Sequence, residues 1–332
     1  MKKKICALAL CAALSLFCVV GCSCGESGNT KVRLSEVTHS IFYAPLYIAI
    51  NNGYFADEGI DIELTNAGGA DKVMTSIASS SADIGLMGPE ATIYCHVEGQ
   101  RNYPVIFGQL TNCDGSFLVG RKPEPDFKWT DLEGKHVLAG RAGGVPAMTL
   151  QYVCNQAGLY HDKNINLDTS VAFDMMVGAF EGDTKYDYVT MFEPTASEYQ
   201  AAGKGYIVAS VGKASGAVPY TAFSASKSYL EKNRDTALAF LRAVVKGYNF
   251  LKDNKSDVVA KSLEKSFAGT PLTSIAAAVE SYLAIGAFST SPVMKEADFN
   301  RLMDIMENAG TLAERADFSL AVDNSIALEV AA

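Results

Sequence analysis

The chain has 332 residues, 48% of them hydrophobic, with 37 acidic against 28 basic side chains and a net charge of −9. That balance excludes a polyanion binder, because an acidic surface repels nucleic acid and gives no steering toward anionic partners. Its four histidines are scattered and its eight cysteines form no CxxC pair and no set at metal-ligand spacing, so neither a metal site nor a cofactor is expected.

The N-terminus reads "MKKKICALALCAALSLFCVVGC". Lysines precede an apolar run, Ile5 to Val20, that is short for a bilayer span and has the layout of a secretory leader. Val19-Val20-Gly21-Cys22 resembles the lipobox of bacterial lipoproteins, which implies cleavage before Cys22 and a diacylglycerol on its thiol; an ordinary leader with a chance cysteine is the alternative. Residues 1–21 are then a lipoprotein signal peptide, and the small, polar stretch to residue 30 is a flexible tether. Cys6, Cys11 and Cys18 leave with the leader. Cys24, Cys95, Cys113 and Cys154 read as buried or free thiols, with one disulfide among the last three as the alternative. No later stretch is long and apolar enough to span a membrane.

"KVRLSEV" alternates apolar and polar residues as a strand does. "APLYIAINNGYF" has helical spacing and stops at Asn52-Gly53, and "IDIELTNA" is a second alternating strand. "GGADKVMTSIASSSADIGLMG" predicts a helix from about Asp71 and a strand from Asp83 to Leu86. Strand patterns recur in "YPVIFGQL", "KHVLAG", "NINLDTSV", "YDYVTM" and "YIVASV". Strands alternating with helices predict an α/β fold with helices on both sheet faces. From about Ser226 the pattern turns almost wholly helical. Two extended stretches rich in small residues, "NCDGSFLVGRK" and "GAVPYTAFSAS", read as crossings between lobes. They predict a first lobe of residues 31–113 and 221–332, with residues 114–220 inserted as a second. A folded part of roughly 300 residues is large for one core, which suits two lobes.

"FYAPLYIAINNGYFADEGIDIEL", "GGADKVMTSIASSSADIGLMG" and "WTDLEGKHVLAG" resemble the substrate-binding proteins of ABC importers. The branch is the SsuA-like or NMT1/THI5-like one, which includes sulfonate, nitrate, taurine and thiamine-pyrimidine binders. The resemblance implies a type II periplasmic-binding-protein fold: two lobes, each a mixed sheet flanked by helices, joined by two crossing strands. It also implies a ligand held between the lobes and delivery to permease and ATPase subunits. The expected protein is monomeric, not an enzyme, and anchored by lipid on the extracytoplasmic face of a bacterial membrane.

Ligands of open α/β sheets bind beyond the carboxyl ends of the strands, where helix N-termini converge. Pro45, Pro89, Pro146 and Pro194 each stand where proline suits a first helical turn, next to loops that follow strands. Candidate ligand contacts are therefore Phe42 and Tyr43 in "SIFYAPLY", Tyr47 one turn on, and Gly69 in "AGGAD". Glu90 in "MGPEA" and Glu193 in "MFEPT" are a carboxylate in each lobe; either also fits a partner of the helix dipole. Gly143 and Gly144 in "GRAGGVP" bring bare backbone to the cleft, and Arg141 is the candidate contact for an anion. That glycine-rich stretch lacks the Lys-Ser/Thr of a phosphate loop. Two carboxylates and few cations favour a thiamine-pyrimidine-like ligand or another nitrogen heterocycle over a sulfonate or nitrate. A sensor or adhesion lipoprotein, or a thiamine-pyrimidine synthase-like enzyme, are the readings from other classes.

Overall fold

The computed structural model describes residues 28–99 and 102–332. The leader, Cys22 and Cys24 lie outside the described residues. Among the described residues ten strands form two sheets. The first holds β1 (Thr30–Glu36), β2 (Ile60–Asn66), β3 (Ile84–Met87), β4 (Pro104–Thr111) and β10 (Thr221–Ser226), in the order β2-β1-β3-β10-β4. The second holds β5 (Phe117–Gly120), β6 (His136–Leu138), β7 (Asn166–Asp168), β8 (Tyr188–Met191) and β9 (Tyr206–Ser210), in the order β7-β6-β8-β5-β9.

The chain passes between the sheets twice, through residues 112–116 and 211–220. In each sheet the strand entered from the other sheet is the one that runs antiparallel: β5 against β8 and β9, and β10 against β3 and β4. The pairings of β1 with β2 and β3, and of β6 with β7 and β8, are parallel. Strands β3, β4, β5 and β8 are buried along their whole length. Their sequences accordingly run apolar without alternation, because helices cover both faces.

Local chemistry sets the helix boundaries. The helix Ala44–Asn51 begins with Pro45 in its first turn and ends where Gly53 adopts φ 79°, a backbone state glycine enters without a Cβ penalty. It lies against the long helix Arg234–Asp253 so closely that a Cβ on Gly247 would sit 2.1 Å from the Pro45 carbonyl oxygen. The helix at "GGADKVM" runs Ala70–Ala78, one residue earlier than the sequence predicts. The helical tail is interrupted at Asn233, whose φ of −126° separates Lys227–Lys232 from Arg234–Asp253. Among the described residues no helix is long and apolar enough to cross a membrane.

The C-terminal helices also reach the second lobe. Asn308, at the end of Glu296–Asn308, accepts a 2.7 Å hydrogen bond from Asn155 of the helix Val145–Gln156. Cys113 and Cys154 are buried free thiols, and Cys95 is buried as well. Burial pushes the thiols of Cys113 and Cys154 up to about 12, so neither supplies a thiolate at neutral pH.

Candidate functional site

A cavity of about 250 Å³ opens between the two sheets, at the carboxyl ends of their parallel strands. Its walls begin with the turn Ile41–Tyr43, capped by the Ser40 hydroxyl, which accepts from the Phe42 N–H at 3.2 Å. Phe42 and Tyr43 both line the cavity. Phe42 centres an aromatic cluster, with ring centroids 5.1 Å from Tyr282 and 5.6 Å from Phe192 and Tyr220. The first connection between sheets has glycine at 115 because of this ring: a Cβ there would lie 2.5 Å from the Phe42 edge.

Three helices point their N-termini at the cavity, and in each the N-cap residue is a glycine that lines it: Gly69, Gly88 and Gly144. None of these caps supplies a side-chain hydrogen bond. Their first-turn N–H groups therefore need acceptors from elsewhere, and the Glu90 carboxyl takes those of Glu90, Ala91 and Val145.

Glu90 folds back over its own helix N-terminus, where a Cβ on Gly88 would overlap the carboxylate at 1.9 Å. Glu90 is 4% exposed, and its Oε2 is buried without a hydrogen-bond partner. Burial lifts its carboxyl to about 7, an effect partly offset by the backbone N–H groups of Glu90, Val145 and Ala91 and by the charge of Arg141. Arg141 and Lys72 are cations on the lining, with Asp71 and Asp174 as further carboxylates. Arg141 lies 3.7 Å from Asp71, an ion pair that crosses the mouth of the cleft with both partners well exposed.

Of the residues named from sequence, Phe42, Tyr43, Gly69, Glu90, Arg141 and Gly144 meet around this one cavity. Tyr47, Gly143 and Glu193 lie off its lining. Tyr47 turns into the first lobe, where its hydroxyl donates to Glu36 Oε2 at 2.5 Å and its ring meets Phe267 edge-on. His39 completes that internal group, with its ring nitrogens 3.0 Å from Glu36 and 2.6 Å from the Ser266 carbonyl. Glu193 takes the helix-dipole role: its carboxylate accepts from the Ser197 N–H and hydroxyl at 2.9 and 2.7 Å. Pro194 accordingly stands at the N-cap of Thr195–Ala201, just ahead of the first turn. Gly143 has φ 72° and sits one residue behind the lining, its carbonyl accepting from Tyr94 at 3.4 Å.

Three aromatic residues of the wall carry no sequence signal of their own. Phe192 adjoins Glu193 in "MFEPT", Tyr220 ends the second connection, and Phe173 opens the short 3-10 turn Phe173–Met175, 5.5 Å from Phe192. Burial raises Tyr220 and Tyr43 far above the ordinary phenol range, so both present neutral hydroxyls. Among the described residues no group of three or more His, Cys, Asp or Glu side chains is placed to hold a metal ion.

The family model described as NMT1/THI5 like matches residues 41–257. The proposed binding protein YtlA of Bacillus subtilis (strain 168) is 38% identical over 315 residues, covering 95% of this chain and 94% of that protein. A shorter match, 29% identical over 134 residues, is to the 4-amino-5-hydroxymethyl-2-methylpyrimidine phosphate synthase of Schizosaccharomyces pombe; it covers 40% of this chain and 37% of the synthase. Among solved structures, the alkanesulfonate-binding protein SsuA from Xanthomonas axonopodis pv. citri, bound to MOPS, superposes with a TM-score of 0.71. It is 16% identical, and the match covers 89% of this chain and 99% of that one. The two-sheet architecture is thus that of a periplasmic binding protein, and the chain belongs to the NMT1/THI5-like family.

Proposed function

We propose that the protein is the solute-binding component of an ABC importer, a monomer tethered by lipid at Cys22 outside the cell membrane. It closes around a small organic solute and presents it to a permease. The observation that carries this reading is the cavity itself. It lies between two sheets joined by two short connections, and aromatic rings and helix N-termini wall it. Ligand pockets are concave and mostly apolar with a few placed polar groups, and they form preferentially between such units.

Within that class a nitrogen heterocycle of the thiamine-pyrimidine kind is the favoured ligand. Aromatic faces suit a planar ring, and the buried Glu90 oxygen lacks a donor that a ring amine would provide. A sulfonate is the second reading, favoured by Arg141 on the lining and by the helix N-termini at Gly69, Gly88 and Gly144. The family match that includes an enzyme spans less than half of the chain, and the membership as a whole suits a binder.

A thermal-shift screen tests both levels. Formylaminopyrimidine at about a hundred times its Kd should add about 2.7 kcal/mol to stability, a rise of several degrees in Tm, with taurine and nitrate inert. Stabilisation by taurine alone would reverse the ligand order and point to Arg141. If no small solute raises Tm, the import reading fails.

A further inference from the structure

Glu90 is one of three buried polar groups around the cavity with an unmet hydrogen bond. The others are the hydroxyl of Tyr220, which shares the lining, and Oδ2 of Asp114 in the first connection. Oδ1 of Asp114 is fully used, accepting from the Ser116 N–H and hydroxyl, both at 2.6 Å. Its free oxygen faces Tyr220, whose neighbours in charge are Asp114 first and then Glu90. Turned toward that oxygen, the phenol would donate to Asp114 and keep its own lone pairs for the cavity. The cleft thus offers two acceptors, Glu90 Oε2 and Tyr220 Oη, and both call for donors.

The charges on the lining point the same way. Asp71, Glu90 and Asp174 stand against Lys72 and Arg141, an excess of one carboxylate, with Arg141 shared between Asp71 and Glu90. The surrounding aromatic faces also favour a cation. Resting on the reading of this cleft as a solute site, we infer that it selects a planar monocation with adjacent N–H donors, an amidinium or protonated amino-heterocycle. Glu90 is the specificity-determining acceptor, and Asp114 is a positioning residue that orients the Tyr220 hydroxyl.

The pH dependence follows from the groups around Glu90. Arg141 faces it from the second lobe, and Tyr43, Tyr94 and Tyr220 face it with phenols that burial holds protonated. Glu90 is therefore the group that titrates at the ligand, with Asp114 one side chain further, lifted by burial to about 7 as well. A permanent cation needs the carboxylate form, so its affinity falls about tenfold from pH 8 to pH 6.

The test is calorimetric titration of the full chain with three ligands sharing one ring: benzamidine, benzamide and benzenesulfonate. Benzamidine should bind at least tenfold more tightly than benzamide at pH 8 and weaken about tenfold at pH 6. Glu90→Gln should abolish that preference, and Glu90→Asp, which keeps the charge, should retain it. Asp114→Asn should weaken benzamidine binding in the natural background but leave it unchanged when combined with Tyr220→Phe, a coupling that a merely structural role would not produce. Equal binding of benzamide, or tighter binding of benzenesulfonate, overturns the cation assignment while leaving the solute-cleft reading intact. Binding of none of the three overturns the assignment too, and the separate solute screen then judges the cleft.

Discussion

Asp114 and Glu90 pull against the stability of the chain in a way that can be measured. Both carboxyls are lifted to about 7 in the folded protein, chiefly by burial, from ordinary values of 3.8 and 4.5. A raised folded value means that the unfolded chain gives up its proton first. The stability present below the unfolded value is then lost as pH rises through about 7. For Asp114 the shift corresponds to a cost of about 4 kcal/mol at pH 8, as an upper bound. Asp114→Asn keeps an oxygen for the two Ser116 bonds and removes the charge. It should therefore stabilise the protein by about 2–4 kcal/mol at pH 8 and by little at pH 4, read from urea melts at each pH. A gain that does not depend on pH would show that the ionised carboxylate is not the source of the cost.

Among the helices and connections, glycines mark the close approaches, and two of them separate binding from folding. Gly144 is an N-cap with φ −87° and ψ 147°, a backbone that any residue adopts. A Cβ there would stand 3.3 Å from the Arg141 carbonyl and 3.8 Å from its guanidinium. Gly144→Val should thus cost under about 1 kcal/mol of stability as a poorer cap yet disturb the cleft wall, weakening solute binding about tenfold or more. Gly212 differs: a Cβ there would meet the Asp114 carbonyl oxygen at 2.0 Å, where the two connections touch. Gly212→Ala should destabilise by about 3 kcal/mol through that overlap. Calorimetric melts and ligand titration on the two variants would show whether the effects separate as stated.

At the scale of the molecule, the lobes are joined by two short connections and by direct contacts, among them Asn155 with Asn308, the Glu193 N–H donating to the Tyr282 hydroxyl at 2.8 Å, and Phe42 packed on Phe192. Near the mouth lie the exposed Arg141–Asp71 pair and the hydrogen bond from Tyr94 to Gly143. Exposed ion pairs contribute little, about 0–1 kcal/mol. On the proposed import reading, a solute that touches both lobes shifts the balance between open and closed forms by its own differential contacts. The proposed lipid attachment belongs to this scale as well. Cys22→Ala should move the protein from the membrane fraction to the soluble fraction after cell disruption; retention on membranes would sink the lipobox reading.

Local rules made much of this protein legible before folding. The alternation in "KVRLSEV" marks β1 and the helix stop at Asn52-Gly53 follows from a left-handed glycine, whereas "YPVIFGQL" reads as a strand whose burial along its whole length is decided by the helices packed on it. Loops that leave a strand and open a helix pointed to Phe42, Tyr43, Glu90, Arg141 and Gly144, because sheet geometry gathers such loops at one end. Which side chain in a loop faces the cavity is a different question, settled by partners far along the chain. Tyr47 is claimed by Glu36 and Phe267, and Glu193 by Ser197, while Tyr220 reaches the cavity from the end of the second connection. The sequence by itself determined the elements, the helix starts and the family, since those depend on neighbours within a few residues. Only the tertiary structure decided that one oxygen each of Glu90 and Asp114 and the phenol of Tyr220 are left buried without partners, because a hydrogen bond goes unmet only when everything around it has been packed.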